Sequence, residues 1–392
     1  MSIVATYLKS LVAAFLNSVL GLAEKMVSPI ATLRIGDMGG RRIGVWLPSV
    51  EFFLREKAFR SGTGERKRKW FLFFCTTPCN DQVLKMMRRV MFVVQNDTLA
   101  RMFRFVYQKY PDRPFWFQRQ VPPFADGIIW NNIGPQLSLS ADEILEGRAF
   151  EKELGVSDST YVCFFARDPS YLMAEVPEIE HTYHSYRDSD IKDYDSALNY
   201  LSECGIWSLR VGAVVESEYQ SDNPMVVDYA WRHRSDFYDV YLLSHCKFFI
   251  GDNAGIYSIP QCFGTPFLQL NHVPLNGPTL ISTDVFVPKK LYSNRESRYL
   301  SFREIYEMGA HTWGHTSIYE EADITPVSNS RKEILAATRE MNMKLDDIWT
   351  ETEEDEEMQR IFRSIACPYC PTTEHHGRMA SSFLRMNREL LE

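Results

Sequence analysis

Three short segments that carry arginines and a fourth rich in small residues are together suited to a phosphorylated ligand. Arg167-Asp168 follows the apolar run Tyr161–Ala166, and Arg210-Val211-Gly212 closes the run Ile206–Val211. Gly251-Asp252-Asn253-Ala254-Gly255 breaks the run Lys247–Ile250, and Arg187 stands within His184-Ser185-Tyr186-Arg187-Asp188-Ser189-Asp190. A guanidinium can hold a phosphate through two parallel N–H bonds. Glycines at 251 and 255 allow close backbone approach, and the helix that follows would offer its first N–H groups to a diphosphate. That loop lacks the Gly-Lys-Ser/Thr of a P-loop and the spacing of a dinucleotide fingerprint, so an ordinary strand-to-helix turn stays open as its alternative. Ser189 and Asp190 read as helix caps. Asp188-x-Asp190 has the letters of a metal-binding acidic pair, but its place at a helix start reads as capping too.

The elements that must carry these residues alternate between strand and helix. In the second half, strand Tyr161–Ala166, helix Asp190–Cys204, strand Ile206–Val211, short strand Val226–Tyr229, helix Asp236–His245 and strands Lys247–Ile250 and Pro266–Leu270 follow with short connections. This order predicts a doubly wound parallel sheet, whose ligands sit beyond the carboxyl ends of the strands. In the first half, strand Ala31–Ile35 leads into a glycine-rich turn, Gly36–Gly40. Strands Trp70–Cys75 and Val90–Val94 flank a helix Asn80–Arg89 capped by Asn80 or Asp81. Residues 112–134, rich in Pro, Trp and Phe, read as irregular, and Ser138–Leu154 as a helix capped by Ser140 or Asp142. The expected organisation is an N-terminal helix over 1–30, α/β domains over 31–155 and 156–345, and an acidic helical extension over 346–392.

A length of 392 residues suits two such domains, and 45% hydrophobic content excludes general disorder. The net charge of −8 argues against a protein that coats nucleic acid. The 8 cysteines are spread along the chain, mostly in apolar runs, which is the usage of buried thiols in a reducing cytoplasm. Tyr7, Leu8, Leu11, Ala14, Phe15, Val19 and Leu22 recur at helical spacing near the N-terminus, with Lys9 interrupting them. A spanning helix would bury that lysine, so the segment is expected to pack on the body or to lie in the membrane interface as a peripheral anchor.

The strings YVCFFARDPSYL, YHSYRDSDIKDYDSALNYLSECGIWSLRVG, DFYDVYLLSHCKFFIGDNAGIYSIPQCFGTPFLQLN and GRMASSFLRMNRELL together resemble a family of glycosyltransferases from bacterial surface-carbohydrate loci. PCNDQVLKMMRR at 78–89 adds weaker support. The resemblance implies a GT-B fold, two Rossmann-like domains facing across a cleft, with a nucleotide-sugar donor held by the second. With that donor, the strand-end loops and the arginine segment above make Arg167, Asp168, Arg187, Arg210, Gly212, Gly251, Asp252, Asn253, Ala254 and Gly255 the expected donor-binding positions. GDNAG departs from a serine-bearing loop, since Asn253-Ala254 stands where a hydroxyl would contact phosphate. The turn Ile35-Gly36-Asp37-Met38-Gly39 is similar to the first loop of heptosyltransferases, which implies Asp37 as the base that takes the acceptor proton. His184 is the alternative base, and Arg167 would stabilise the departing diphosphate. The expected reaction is metal-independent sugar transfer to a surface glycan or glycolipid, with no cofactor beyond the donor substrate. An epimerase or hydrolase of a nucleotide-sugar, or a non-catalytic assembly scaffold, would use the same fold.

Two further clusters are discounted. Cys367-Pro-Tyr-Cys370 with His375-His376 has zinc-like chemistry but a Cys–His gap too short for a zinc finger. His311 and His315 lack the intervening Glu of a metalloprotease helix.

Overall fold

In the computed structural model the described residues are 3–61, 68–117, 127–156, 159–175, 181–276, 281–370 and 377–392. They form two units: Met1–Pro123 with Pro135–Ser138, and Phe124–Gly134 with Leu139–Glu392.

The first unit is built on three parallel strands in the order β1 (Ala31–Gly39), β2 (Arg68–Cys75) and β3 (Val93–Gln95). Helices Ile43–Ser61 and Asp81–Val90 make the two crossovers. Asn80 caps the second, its side-chain oxygen accepting from Val83 N at 3.0 Å. The expected glycine-rich turn at 36–40 is not a turn over most of its length. Pairing with β2 continues through Asp37↔Phe74 to Gly39↔Cys75 across a bulge, so Asp37 stands at the carboxyl end of a strand. The irregular stretch after 112 contributes order as well. Phe117 N donates to Ile35 O at 2.8 Å and Ile35 N to Phe115 O at 2.7 Å, extending β1 on its free side. Part of that stretch, residues 118–126, lies outside the described residues, as do residues 62–67.

The N-terminal helix spans Ile3–Val27. Ala13, Leu16 and Leu20 pack into a cluster with Ile35, Phe74, Ala100 and Val106. Asn17 fixes the register by accepting from Arg113 Nε at 3.0 Å.

The second unit carries seven parallel strands. They are β4 (Tyr161–Phe165), β5 (Trp207–Arg210), β6 (Val226–Val227), β7 (Phe249–Gly251), β8 (Phe267–His272), β9 (Val285–Pro288) and a later strand, Arg378–Met379. From one edge the order is β6-β5-β4-β7-β8-β9, with Arg378–Met379 beside β9. Numbered along the chain this is 3-2-1-4-5-6, the Rossmann order, and the winding reverses between β4 and β7. A separate antiparallel sheet joins β10 (Lys290–Ser293), β11 (Arg298–Tyr299) and β12 (Ile324–Val327), which makes Arg378–Met379 β13.

Two expected boundaries are corrected. Helix Ala141–Glu153, closed by a Ser140–Glu143 capping box, belongs to the second unit and not to a domain ending at 155. Its Phe150 stacks on Tyr238 at 3.6 Å between ring centroids. Gly147 lies against Tyr241 so closely that a Cβ there would fall 2.1 Å from the ring. The segment after 345 is no extension either. Phe362, Met379, Phe383 and Leu384 are buried in the same core as β4 and β8, and Asp355, in the acidic run, is buried against Arg385. That guanidinium holds the Asp355 carboxyl well below the usual carboxylate range.

Candidate functional site

The reversal of winding sets the carboxyl ends of β4 and β7 side by side, and Asp252 follows β7 directly. Its carboxylate is fully buried. One oxygen accepts from Tyr194 OH and Asn271 Nδ2, both at 2.8 Å. The other accepts from Arg167 N at 2.8 Å and from the Ser189 hydroxyl. Burial raises the Asp252 carboxyl above its usual range, and these donors oppose the shift. With four donors on its two oxygens, Asp252 ties the site's loops together; the ligand contact expected of it has no free lone pair of good geometry. Ser189, expected as a cap, spends its hydroxyl here, whereas Asp190 does cap, accepting from Lys192 N at 2.9 Å.

Three cations surround this hub. Arg167 is buried; its Nη1 donates to His184 O at 3.2 Å and pairs with Asp188. Burial, with repulsion from Arg187, lowers it to about 10. Arg187 donates from Nε to Tyr186 OH at 2.9 Å and lies over that ring at 5.2 Å. Among the described residues no carboxylate pairs with it. Lys289 follows the end of β9, is 5% exposed, and donates to Asp188 O at 2.7 Å. Burial pushes it down to about 8, with Asp252 opposing and Arg167 adding repulsion. Asp168, Asp188 and Asp252 answer Arg167 and Lys289, and Arg187 is the cation of the three that has no carboxylate of its own among the described residues.

His272, the last residue of β8, is 3% exposed, and neither ring nitrogen has a partner among the described residues. Burial first, then the Arg187 charge, pushes it down to about 4, so it is a neutral imidazole at working pH. Sequence reading missed both His272 and Lys289: His272 lies two residues past the expected strand Pro266–Leu270, and Lys289 follows a strand, β9, that was not expected.

Other expected site residues have different employment. Arg210 is buried, and its Nη1 donates to Ser217 O at 2.7 Å and Asp228 Oδ2 at 3.1 Å. That buried pair anchors the loop after β5 through Nη1. Asp168 accepts from Ser170 N at 2.9 Å, a local turn. Asn253 donates to Val273 O at 3.2 Å. Gly251 is required by packing, since a Cβ would fall 2.7 Å from the Phe249 ring and 3.1 Å from Phe165 O. At Gly212 a Cβ would meet Val215 at 2.8 Å. After Ala254 comes a 3-10 turn, Gly255–Tyr257, and then a helix of only six residues, Ser258–Phe263. So short a helix has little macrodipole to offer a diphosphate, and the charge must come from side chains.

In the first unit, Asp37 is held from both sides. Oδ1 accepts from Gly39 N at 2.9 Å, while Oδ2 takes Arg104 Nε at 2.6 Å and Nη2 at 2.5 Å. The ion pair fixes the carboxylate at the strand end. His184, the alternative base, sits in a kinked 3-10 segment, its ring 3.6 Å from that of Tyr183. Of the discounted clusters, Cys367 and Cys370 lie just after helix Glu353–Ala366, with burial pushing the Cys370 thiol up. His375 and His376 lie outside the described residues. His311 is buried between Tyr306 and Tyr369, and His315 precedes helix Thr316–Glu321.

Lys289 gives the site a pH dependence of definite sign. Its ammonium is present below about 8 and lost above it, so affinity for a nucleoside diphosphate should fall as pH rises from 7 to 9, by up to about tenfold. The diphosphate, whose last proton leaves at about pH 6–7, gains only a fraction of a charge in that range, and that gain acts in the opposite direction. Titration calorimetry at several pH values would show the fall, and Lys289→Arg should flatten it. A flat parental profile would remove Lys289 from the ligand's surroundings.

No family model and no curated protein matches the sequence. Among solved structures the chain is similar to a family 9 glycosyl transferase from Veillonella parvula DSM 2008. They are 12% identical, over 80% of this chain and 98% of that one, with a TM-score of 0.49. It is similar also to the ADP-heptose LPS heptosyltransferase II of E. coli, 11% identical over 80% of this chain and 100% of that one, TM-score 0.45. A third, an E. coli heptosyltransferase solved with ADP-2-deoxy-2-fluoro heptose, is 7% identical over 62% of this chain and 89% of that one, TM-score 0.28. At such identities and scores the likenesses decide neither activity nor ligand.

Proposed function

We propose that the chain is a glycosyltransferase of GT-B type that moves a sugar from a nucleotide-sugar to a glycan or glycolipid acceptor. The observation that carries this is the guanidinium of Arg187, without a carboxylate partner among the described residues, beside Arg167 and Lys289 at the winding reversal of a 3-2-1-4-5-6 sheet. In such sheets nucleotides bind at that point. The motif resemblance around these arginines supplies the reaction class. As the glycosidic bond to the diphosphate breaks, charge grows on the leaving oxygen, and the arginines and Lys289 stabilise it. The neutral imidazole of His272, whose nitrogens need a partner, hydrogen-bonds the donor. In the first unit Asp37 takes the acceptor's hydroxyl proton.

The reading needs no metal. Asp188 is spent on Arg167 and Asp190 on its cap, so that pair is not a vacant ligand set. Turnover should persist in EDTA, and loss restored by Mg²⁺ or Mn²⁺ would refute that part. Calorimetric titration with a panel of nucleoside diphosphates, followed by product analysis with and without acceptor, tests the whole. Failure to bind any nucleotide favours a scaffold. Donor turnover to a rearranged or hydrolysed product without acceptor favours an epimerase or hydrolase.

A further inference from the structure

Charge is divided between the two units with an asymmetry that the chain total hides. Met1–Pro123 and Pro135–Ser138 hold 20 Lys and Arg against 8 Asp and Glu, a formal +12. The remaining residues hold 23 against 43, a formal −20, and the two account for the chain's −8. A partner can therefore meet a strongly cationic half of a protein whose overall charge is acidic.

That cationic half also bears the largest run of uncovered apolar side chains. Along helix Ile3–Val27, Leu8, Leu11, Phe15, Val19, Leu22 and Met26 recur every three or four residues, each between 45% and 71% exposed. They lie within one stripe of the helix, opposite Ala13, Leu16 and Leu20, which face the unit's own core. The stripe runs about 27 Å from Leu8 to Met26 at 1.5 Å per residue. By length and composition the helix could cross a membrane. Its inner face, however, is committed to the protein, and Asn17 is bonded to Arg113.

We propose that this outer stripe is a membrane-docking surface. The helix lies in the plane of an anionic bilayer, with Phe15 and Leu22 among the acyl chains and the basic unit against the headgroups. An apolar stripe on a unit of strongly positive formal charge is a combination that anionic lipid recognises. A soluble partner would need to match the stripe, whereas a lipid surface matches any apolar face of that length. The docking does not depend on the transferase reading, since vesicle binding can fail with nucleotide binding intact, and the reverse.

The test uses the full chain. It should co-sediment with vesicles containing phosphatidylglycerol and far less with pure phosphatidylcholine, and about 0.5 M salt should weaken the binding without abolishing it. Phe15→Glu combined with Leu22→Glu should lower partitioning at least tenfold while circular dichroism and nucleotide affinity stay parental. Removing residues 2–25 would be a poor variant, because it strips Ala13, Leu16 and Leu20 from the core. Parental vesicle binding by the double variant overturns the proposal, as does failure of the parent to bind anionic vesicles. A concentration-dependent dimer in light scattering, dissociated by the same substitutions, would assign the stripe to a second copy. Binding to duplex DNA in place of vesicles would assign the charge to nucleic acid. Either result overturns the membrane assignment.

Discussion

Asp37→Asn should turn over its sugar donor at least about 10²-fold more slowly while binding that donor nearly as tightly as the parent. The amide fills the same volume at the end of β1 and can still accept from Gly39 N, but it cannot take a proton near neutral pH. Because Asp37 also pairs with Arg104, the variant loses an ion pair, and the loss could masquerade as a catalytic effect. Arg104→Met separates the two. It removes the pair but leaves a carboxylate, so a base at Asp37 should keep most of its turnover in that variant. His184→Gln is the necessary companion, as the rival base in the second unit. Measuring donor affinity and single-turnover rate for all three settles the assignment. Parental turnover in Asp37→Asn would place the base elsewhere.

Arg187→Ala should weaken nucleoside diphosphate binding by about tenfold to a hundredfold, the range expected for one charge-assisted contact. It is the cleanest of the site's arginines to remove, because its hydrogen bond within the protein goes to Tyr186 OH. Arg167→Ala should differ in kind. Its guanidinium holds His184 O and Asp188, so its loss should lower the urea midpoint as well as affinity. Arg187→Lys keeps the charge but gives up the planar pair of donors, and should recover only part of the affinity. If Arg187→Ala binds every nucleotide as the parent does, the donor site is not at the β4–β7 reversal.

What the sequence reveals about this molecule follows from how local the physics is. Helix Asp236–His245 was legible residue for residue because its start is a serine cap and its end a strand-forming run. The caps at Asn80 and Ser140 are equally local. Arg167 stands out because it follows directly on a recognisable strand, and Arg187 because it lies just before a recognisable helix start. Arg210 stands out because it closes a recognisable strand, whereas its pairing with Asp228, 18 positions away, is not local. The pairing of Asp37 with Arg104 spans 67 positions and leaves no trace in the turn that surrounds it. Lys289 and His272 needed β8 and β9 to be placed in one sheet before either belonged to a site. The acidic composition of the segment after 345 does not reveal the burial of Asp355, which depends on Arg385, 30 positions away.

Within the first unit, Glu51 is fully buried and accepts from Gln136 N at 2.7 Å and Leu137 N at 3.1 Å, with Arg55 as its counter-ion. Those two amides belong to a four-residue return of the chain, made after Phe124–Gly134 has already joined the second unit. Neither unit is therefore one continuous stretch of gene. A fragment ending at 123 would leave the Glu51 carboxylate buried with two of its donors missing. One beginning at 139 would lack helix Gly127–Asn132 and, with it, the Asn131 side chain that accepts from Ser282 N. Dissection by truncation should thus yield two poorly folding halves, and point substitution in the intact chain is the route to assigning work to either one.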